Sequence, residues 1–257
     1  MTTAQHSLLT FAPMIDSETS RFVLAHYATP YRERPHTFGW GSLLALFRCG
    51  TLRVPDLYGG GLRLAGPRAL VDHFDTSCAA EQMLVPSRQP LRTHVEQDWA
   101  LYNGQLATHS AVLAYFHLLP HREIMIEPFF RGVPKMEAAV FRGAYPLLRG
   151  LMGLLLGLSE GKATDALTRI RMIFDKTDAR IKDGRPYLAG DRLTLGDLGL
   201  AAAAAPLLMP SGSREPIPPL ERMPRAYADV VGEMRQHPTA EFVQRIYAKH
   251  YAPPAAD

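Results

Sequence analysis

Tyr187-Leu188-Ala189-Gly190-Asp191-Arg192-Leu193-Thr194-Leu195-Gly196-Asp197-Leu198 decides how the second half of this chain folds. Gly190-Asp191 reads as a tight turn, because glycine reaches backbone conformations closed to other residues. Thr194 and Asp197 stand three apart, the spacing of a capping box with Asp in place of Glu or Gln. The Thr194 hydroxyl can accept the Asp197 N–H, and the Asp197 carboxylate can reach back to the Thr194 N–H. Leu198, Leu200 and the run Ala201–Ala205 follow, so the helix that starts here has a small apolar face suited to deep packing.

Around that helix the apolar spacing stays helical. Patterns of this period run over 91–118, 120–130, 133–158, 162–183, 194–209, 224–236 and 238–250, with no strand pattern beyond residue 78. Pro86-Ser87-Arg88-Gln89-Pro90 breaks the periodicity and reads as a linker. Upstream the signals change. Ser7–Phe11 reads as a strand, and a helix begins near Asp16 or Ser17 and runs to Tyr27. A turn from Thr29 leads into a second strand. A loop and short helix span 36–52, and Val54–Tyr58 is a third strand. Gly59-Gly60-Gly61 turns into a fourth strand at Leu62–Leu64, and Arg68–Phe74 closes with a helix. The order β-α-β-α-β-β-α is that of the thioredoxin fold. The expected organisation is an α/β thioredoxin-like domain over 1–77, a linker over 78–90 and an all-α helical bundle over 91–257.

Bulk properties narrow the function classes. With 257 residues the chain has ample core, and its net charge of +3 is scattered without a basic run, which argues against a nucleic-acid partner. Cys49 and Cys78 stand far apart in no paired motif, so neither a zinc site nor a disulfide framework is expected, and no metal is assigned. Two free thiols and no signal-peptide pattern give a cytoplasmic expectation. The stretch Leu147–Leu158 is interrupted by Arg149 and glycines and is too short to span a bilayer, so no membrane partner is expected.

Over nearly its full length the chain resembles the glutathione transferases. The helix opened by Thr194-x-x-Asp197 looks like the buried helix of that family's C-terminal domain. Ala114–Pro120, Arg131-Gly132-Val133-Pro134 and Tyr187–Leu198 look closest to a bacterial subgroup. The resemblance implies glutathione as cofactor, a small apolar electrophile as substrate, and a homodimer. It places Val54-Pro55 where the family has an X-Pro pair. That bond is cis there, and the preceding residue's backbone pairs with the cysteinyl part of glutathione. Without the resemblance the same proline reads as an edge or turn residue.

Two departures stand out. Where many members carry Glu-Ser or Asp-Ser to hold the γ-glutamyl end, this chain has Gly66-Pro67, with no polar side chain and one N–H fewer. Arg68 offers positive charge nearby. At the nucleophile-activating position no Cys or Tyr is present. Met14 falls at one commonly used position and Ser17 at another. Ser17 reads either as a donor to a thiolate at a helix N-terminus or as a helix cap.

Further polar groups divide the same way. His36, with Trp40 and Arg48, lies where the family contacts the glycyl end, or else on a surface loop. Trp99, Tyr102 and His109 fall on the helix that lines the family's electrophile pocket, and share a face by helical spacing that equally suits core. Two functions remain: a glutathione transferase-like enzyme with Ser17 as donor, or a protein of that fold that has lost the usual glutathione use and binds an apolar ligand or partner or runs a different reaction in the same cleft.

Overall fold

Leu8 and Leu9 are both fully buried, and strand alternation sends them to opposite faces of a sheet. A computed structural model shows why both faces are covered. It describes residues 6–50, 52, 54–214 and 218–251, with the Arg48 and Cys49 side chains outside the described set. Four strands, β1 (His6–Thr10), β2 (Tyr31–Pro35), β3 (Asp56–Gly59) and β4 (Leu62–Ala65), form one mixed sheet in the order β2-β1-β3-β4. β1 runs parallel to β2 and antiparallel to β3, which forms a hairpin with β4. Gly60 and Gly61, at φ +57° and +83°, make the two-residue turn between the paired Gly59 and Leu62.

Helices α1 (Ile15–His26) and α3 (Gly66–Asp75) cover one face, where Leu8 and Leu57 join Phe22 and Leu70. Helix α2 (Trp40–Cys49) covers the other, where Leu9 and Val54 meet Ala45. The rest is helical, the expected thioredoxin-like sheet followed by an all-α bundle. α4 (Leu91–Trp99) passes through a π-helical stretch (Ala100–Leu106) into α5 (Ala107–Leu118), and α6 (Arg122–Phe130), α7 (Lys135–Gly143) and α8 (Tyr145–Leu156) follow. α9 (Glu160–Ile181), α10 (Leu195–Leu208), α11 (Arg225–Met234) and α12 (Pro238–His250) complete it.

The single helix expected over 133–158 is two helices, α7 and α8, bent by 78°. Pro146 in the first turn of α8 cannot donate to the preceding turn and clashes with its carbonyl, so the helix breaks at Ala144.

The stretch from Tyr187 folds as its chemistry dictates. Tyr187 and Gly190 exchange N–H···O bonds of 3.0 Å across a turn, with Gly190 at φ +100°. The capping box forms: the Asp197 carboxylate accepts the Thr194 N–H at 2.8 Å and the Thr194 hydroxyl at 2.8 Å. α10 behind it is almost wholly buried and packs against α1, α4, α5 and α12. Its small side chains make that possible. A Cβ on Gly196 would meet the Asp98 Cβ at 2.7 Å, so α4 lies against bare backbone there.

Candidate functional site

Two hollows adjoin at the turn between β1 and α1. Met14 N–H donates to the Phe11 carbonyl at 3.1 Å, and the helix starts one residue later at Ile15. Neighbouring helical positions point about 100° apart, so Asp16 and Ser17 cannot both face the same space. Asp16 lines both hollows. Ser17 is fully buried on the other side, with its hydroxyl donating to the Phe11 carbonyl at 3.0 Å. Expected as a thiolate donor or a cap, Ser17 lines neither hollow and is not the N-cap. The N-cap is Met14, and the Ser17 hydroxyl is spent inside the fold.

The first hollow, a cleft of about 520 Å³, lies over the sheet edge between Val54, Gly66-Pro67, Thr37 and Trp99. Val54-Pro55 is cis, as the resemblance implied. Val54 lines the cleft, whereas Pro55 sits behind it, its carbonyl accepting the Gly66 N–H at 2.7 Å. That bond and the ring of Pro67 leave the β4–α3 turn without a donor from either residue. Arg68 borders the cleft, but its guanidinium grips Glu96 of α4 through both terminal nitrogens. Its Nε donates to Asp72 at 2.8 Å. These hydrogen bonds hold the Arg68 guanidinium above its ordinary range and the Glu96 carboxyl below its own.

The second hollow is apolar, about 400 Å³, and reaches between α5, α6, α8 and α11. Ala107, Ala111, Ala114 and Tyr115 of α5 form one wall, with Met125, Met152 and Tyr227 opposite. Phe11, Met14, Asp16, Phe38 and Asn103 line both hollows and so mark where they meet. Asn103 Oδ1 is buried there with no hydrogen-bond partner.

The remaining expected site residues scatter. Trp99 lines the cleft and packs its ring over Gly199. Tyr102 is core, 1% exposed and hydrogen-bonded to Thr177 at 3.1 Å, and burial pushes its hydroxyl up to about 12. His109 lines neither hollow, and burial with Arg169 nearby lowers its imidazole. The π-helical stretch is the physical cause. Its wider turn rotates Tyr102 away from Trp99, which an unbroken α-helix would set on one face. His36 also turns elsewhere. Its Nδ1 lies 2.8 Å from Glu137 of α7, whose other oxygen accepts the Thr37 N–H at 2.6 Å. Arg48 falls outside the described side chains.

Asp175, Asp178 and His237 stand close enough to share a cation. Asp178 is already spent there, accepting the Thr239 N–H at 2.8 Å and hydroxyl at 2.6 Å at the start of α12.

Solved structures share this fold over nearly the whole chain. A glutathione transferase from Burkholderia graminis, with two glutathione molecules bound per subunit, aligns at TM-score 0.61 and 11% identity, over 96% of this chain and 84% of its own. Glutathione S-transferase I from maize, in complex with an atrazine glutathione conjugate, aligns at 0.54 and 17%, over 96% and 99%. This chain has the glutathione transferase fold. FzlA from C. crescentus shares it at TM-score 0.54 and 15% identity, over 98% of this chain and 96% of that one. No protein-family model and no curated protein matches the sequence.

Within the glutathione transferase fold, the cleft over cis Val54-Pro55 and the apolar cavity beside it are adjoining compartments. What the sequence reading missed is their junction. Of its residues, the sequence offers Met14 as a position the family uses, marks Asp16 only as a helix start, and does not single out Asn103. An amide at 103, one helical turn beyond Trp99, was the available signal.

Proposed function

We propose that this protein is a member of the glutathione transferase superfamily that joins a thiol peptide of the glutathione type to a small apolar electrophile. The observation that carries this reading is the junction. A cleft with a polar edge and an apolar cavity share Met14, Asp16 and Asn103, so a thiol in one and an electrophile in the other would meet there. The Asn103 amide turns to offer either its N–H or its oxygen, and in the first orientation it would donate to a thiolate in place of Ser17. A thiol near its ordinary pKa is only partly ionised at neutral pH, so one such donor raises the reactive fraction. The peptide would be held without the family's carboxylate and serine, since Gly66-Pro67 supplies neither. Cytoplasmic location and a homodimer belong to the same reading, through the resemblance.

Titration with glutathione to millimolar concentration, read by calorimetry and thermal shift, tests the first half. Turnover with a halogenated nitroarene tests the second. A thermal shift and thiol-dependent turnover support the reading, because a binder must stabilise the native state. The absence of both heat and thermal shift at millimolar glutathione overturns it. One observation favours a second reading, an apolar-ligand protein that does not use glutathione. The two groups nearest the γ-glutamyl position, the Gly66 N–H and the Arg68 guanidinium, are both engaged by the protein itself. An apolar ligand that raises the melting temperature where glutathione does not would establish it.

A further inference from the structure

The outward surface of α7 and α8 is apolar beyond what a folded chain usually shows to water. Leu147, Leu151, Leu154 and Leu155 recur at i, i+4, i+7 and i+8, a single stripe along α8, and Leu147 and Leu154 are 76% and 79% exposed. Met136 and Val140 extend it on α7, at 82% and 67%. These are not core residues facing the wrong way. The inward faces of the same helices already supply Ala138, Tyr145, Leu148 and Met152 to a cluster shared with Ala45 of α2. α2 itself exposes Trp40, Leu43, Leu46 and Phe47.

From 131 to 158 the exposed charged side chains are Arg131, Lys135, Arg142 and Arg149, all cationic. The one acid, Glu137, is turned inward onto His36 and Thr37. The sequence around α2, from Arg34 to Pro55, contains no acid at all.

We propose that this face docks on the surface of an anionic lipid bilayer. The leucines would enter the edge of the hydrocarbon layer while the four cations meet lipid phosphates, the division of labour of an interfacial amphipathic helix. Among the described residues no single helix is long and apolar enough to cross a membrane, and the 78° bend between α7 and α8 would let both helices lie along the interface. The absence of a spanning segment in the sequence does not bear on a surface of this kind. A second copy of the chain fits less well. A two-fold interface would set this face against itself, cation against cation, and like charges across an interface are costly.

The position of the face has a consequence for substrate. Leu155 is exposed on it and also lines the apolar cavity with Met152 and Leu156. The cavity therefore borders the docking face, and a lipophilic molecule dissolved in the bilayer would have a short path into it. Docking itself does not depend on glutathione use.

Cosedimentation of the full chain with vesicles tests this, using phosphatidylcholine alone and phosphatidylcholine mixed with phosphatidylglycerol. The protein should sediment with the mixed vesicles, not with phosphatidylcholine alone, and high salt should release it. L147E/L154E should abolish sedimentation with an unchanged melting temperature. R142Q/R149Q, which touches no apolar contact of the stripe, should weaken partitioning about 30-fold, about 2 kcal/mol for two surface cations. Failure to sediment with mixed vesicles at low salt overturns the proposal, as does wild-type binding by both variants. A wild-type dimer that L147E/L154E dissociates would assign the face to a second copy instead, and overturn it too.

Discussion

The Asp197 carboxylate joins two turns of chain, accepting the Leu188 N–H at 2.7 Å and the Thr194 N–H at 2.8 Å while fully buried. It therefore caps α10 and pins the Tyr187–Gly190 turn with one side chain. In D197N one acceptor oxygen becomes an NH₂ facing donors, leaving a buried N–H unsatisfied. The expected loss is about 2 kcal/mol in urea unfolding, set by the cost of one buried unpaired group. D191N, altering an exposed neighbour in the same stretch, should change stability within error.

Ser17 is now expected to matter for the fold. S17A removes its hydroxyl bond to the Phe11 carbonyl, and should cost about 1 kcal/mol of stability. Thiol-dependent turnover per folded molecule should stay at the wild-type value, because the hydroxyl faces neither hollow. A drop in kcat at unchanged stability would return Ser17 to the reaction.

Asn103 should behave in the opposite way. Its Oδ1 is buried without a partner, so the free protein carries a desolvation penalty that a ligand would relieve. N103L, close in volume and apolar, is expected to raise the unliganded melting temperature. Affinity for a ligand at the junction should fall about tenfold, the equivalent of one hydrogen bond. Thermal scans with and without ligand read both changes in one experiment.

These two residues show where sequence reading stops. The turn at Gly190, the capping box at Thr194, the hairpin at Gly60-Gly61 and the cis Val54-Pro55 bond are local chemistry, and residue types within a few positions determine them. Which side of a helix meets a cleft is different. Periodicity establishes that α1 has two faces, but not which one the next element covers, so Ser17 and Asp16 exchange roles on a rotation of one residue. Along 91–118 the π-helical stretch shifts the phase partway, taking Trp99 to the cleft and Tyr102 to the core. Nothing in the spacing of those aromatics marks that shift.

A buried ionic knot ties α1 to β2 and predicts acid sensitivity. Arg21, 4% exposed, donates to Glu18 at 2.7 Å and to Glu33 at 2.6 Å, and Thr10 donates to Glu33 at 2.9 Å. Burial opposes the charge on Glu33, but Arg21 and these hydrogen bonds outweigh it and hold the carboxyl below its ordinary value. A carboxyl lowered on folding stabilises above its unfolded pKa, about 4.3 for Glu, and that gain is lost as pH falls through the folded value. E33Q should therefore be less stable than wild type at neutral pH by about 3 kcal/mol, near the low end for a broken buried pair since Glu18 still faces Arg21. The gap should close below about pH 4. Unfolding curves of both proteins across that range measure it.

Glu96 controls what Arg68 can offer the cleft. The guanidinium is bound at two nitrogens by Glu96 and at a third by Asp72, so an anionic group entering beside Pro67 meets a cation whose charge is already answered. The pair is one-third exposed on both sides, which limits its worth to the fold to about 0–1 kcal/mol. E96Q keeps the shape but removes the charge, so stability should barely move while Arg68 becomes available to a carboxylate. If a peptide carboxylate binds at the β4–α3 turn, E96Q should tighten glutathione binding several-fold and make it more sensitive to salt. R68Q should weaken it whether or not Glu96 is present. Unchanged calorimetric affinity in E96Q would mean that the carboxylate binds away from Arg68, leaving the Arg68–Glu96 pair as a tie between α3 and α4.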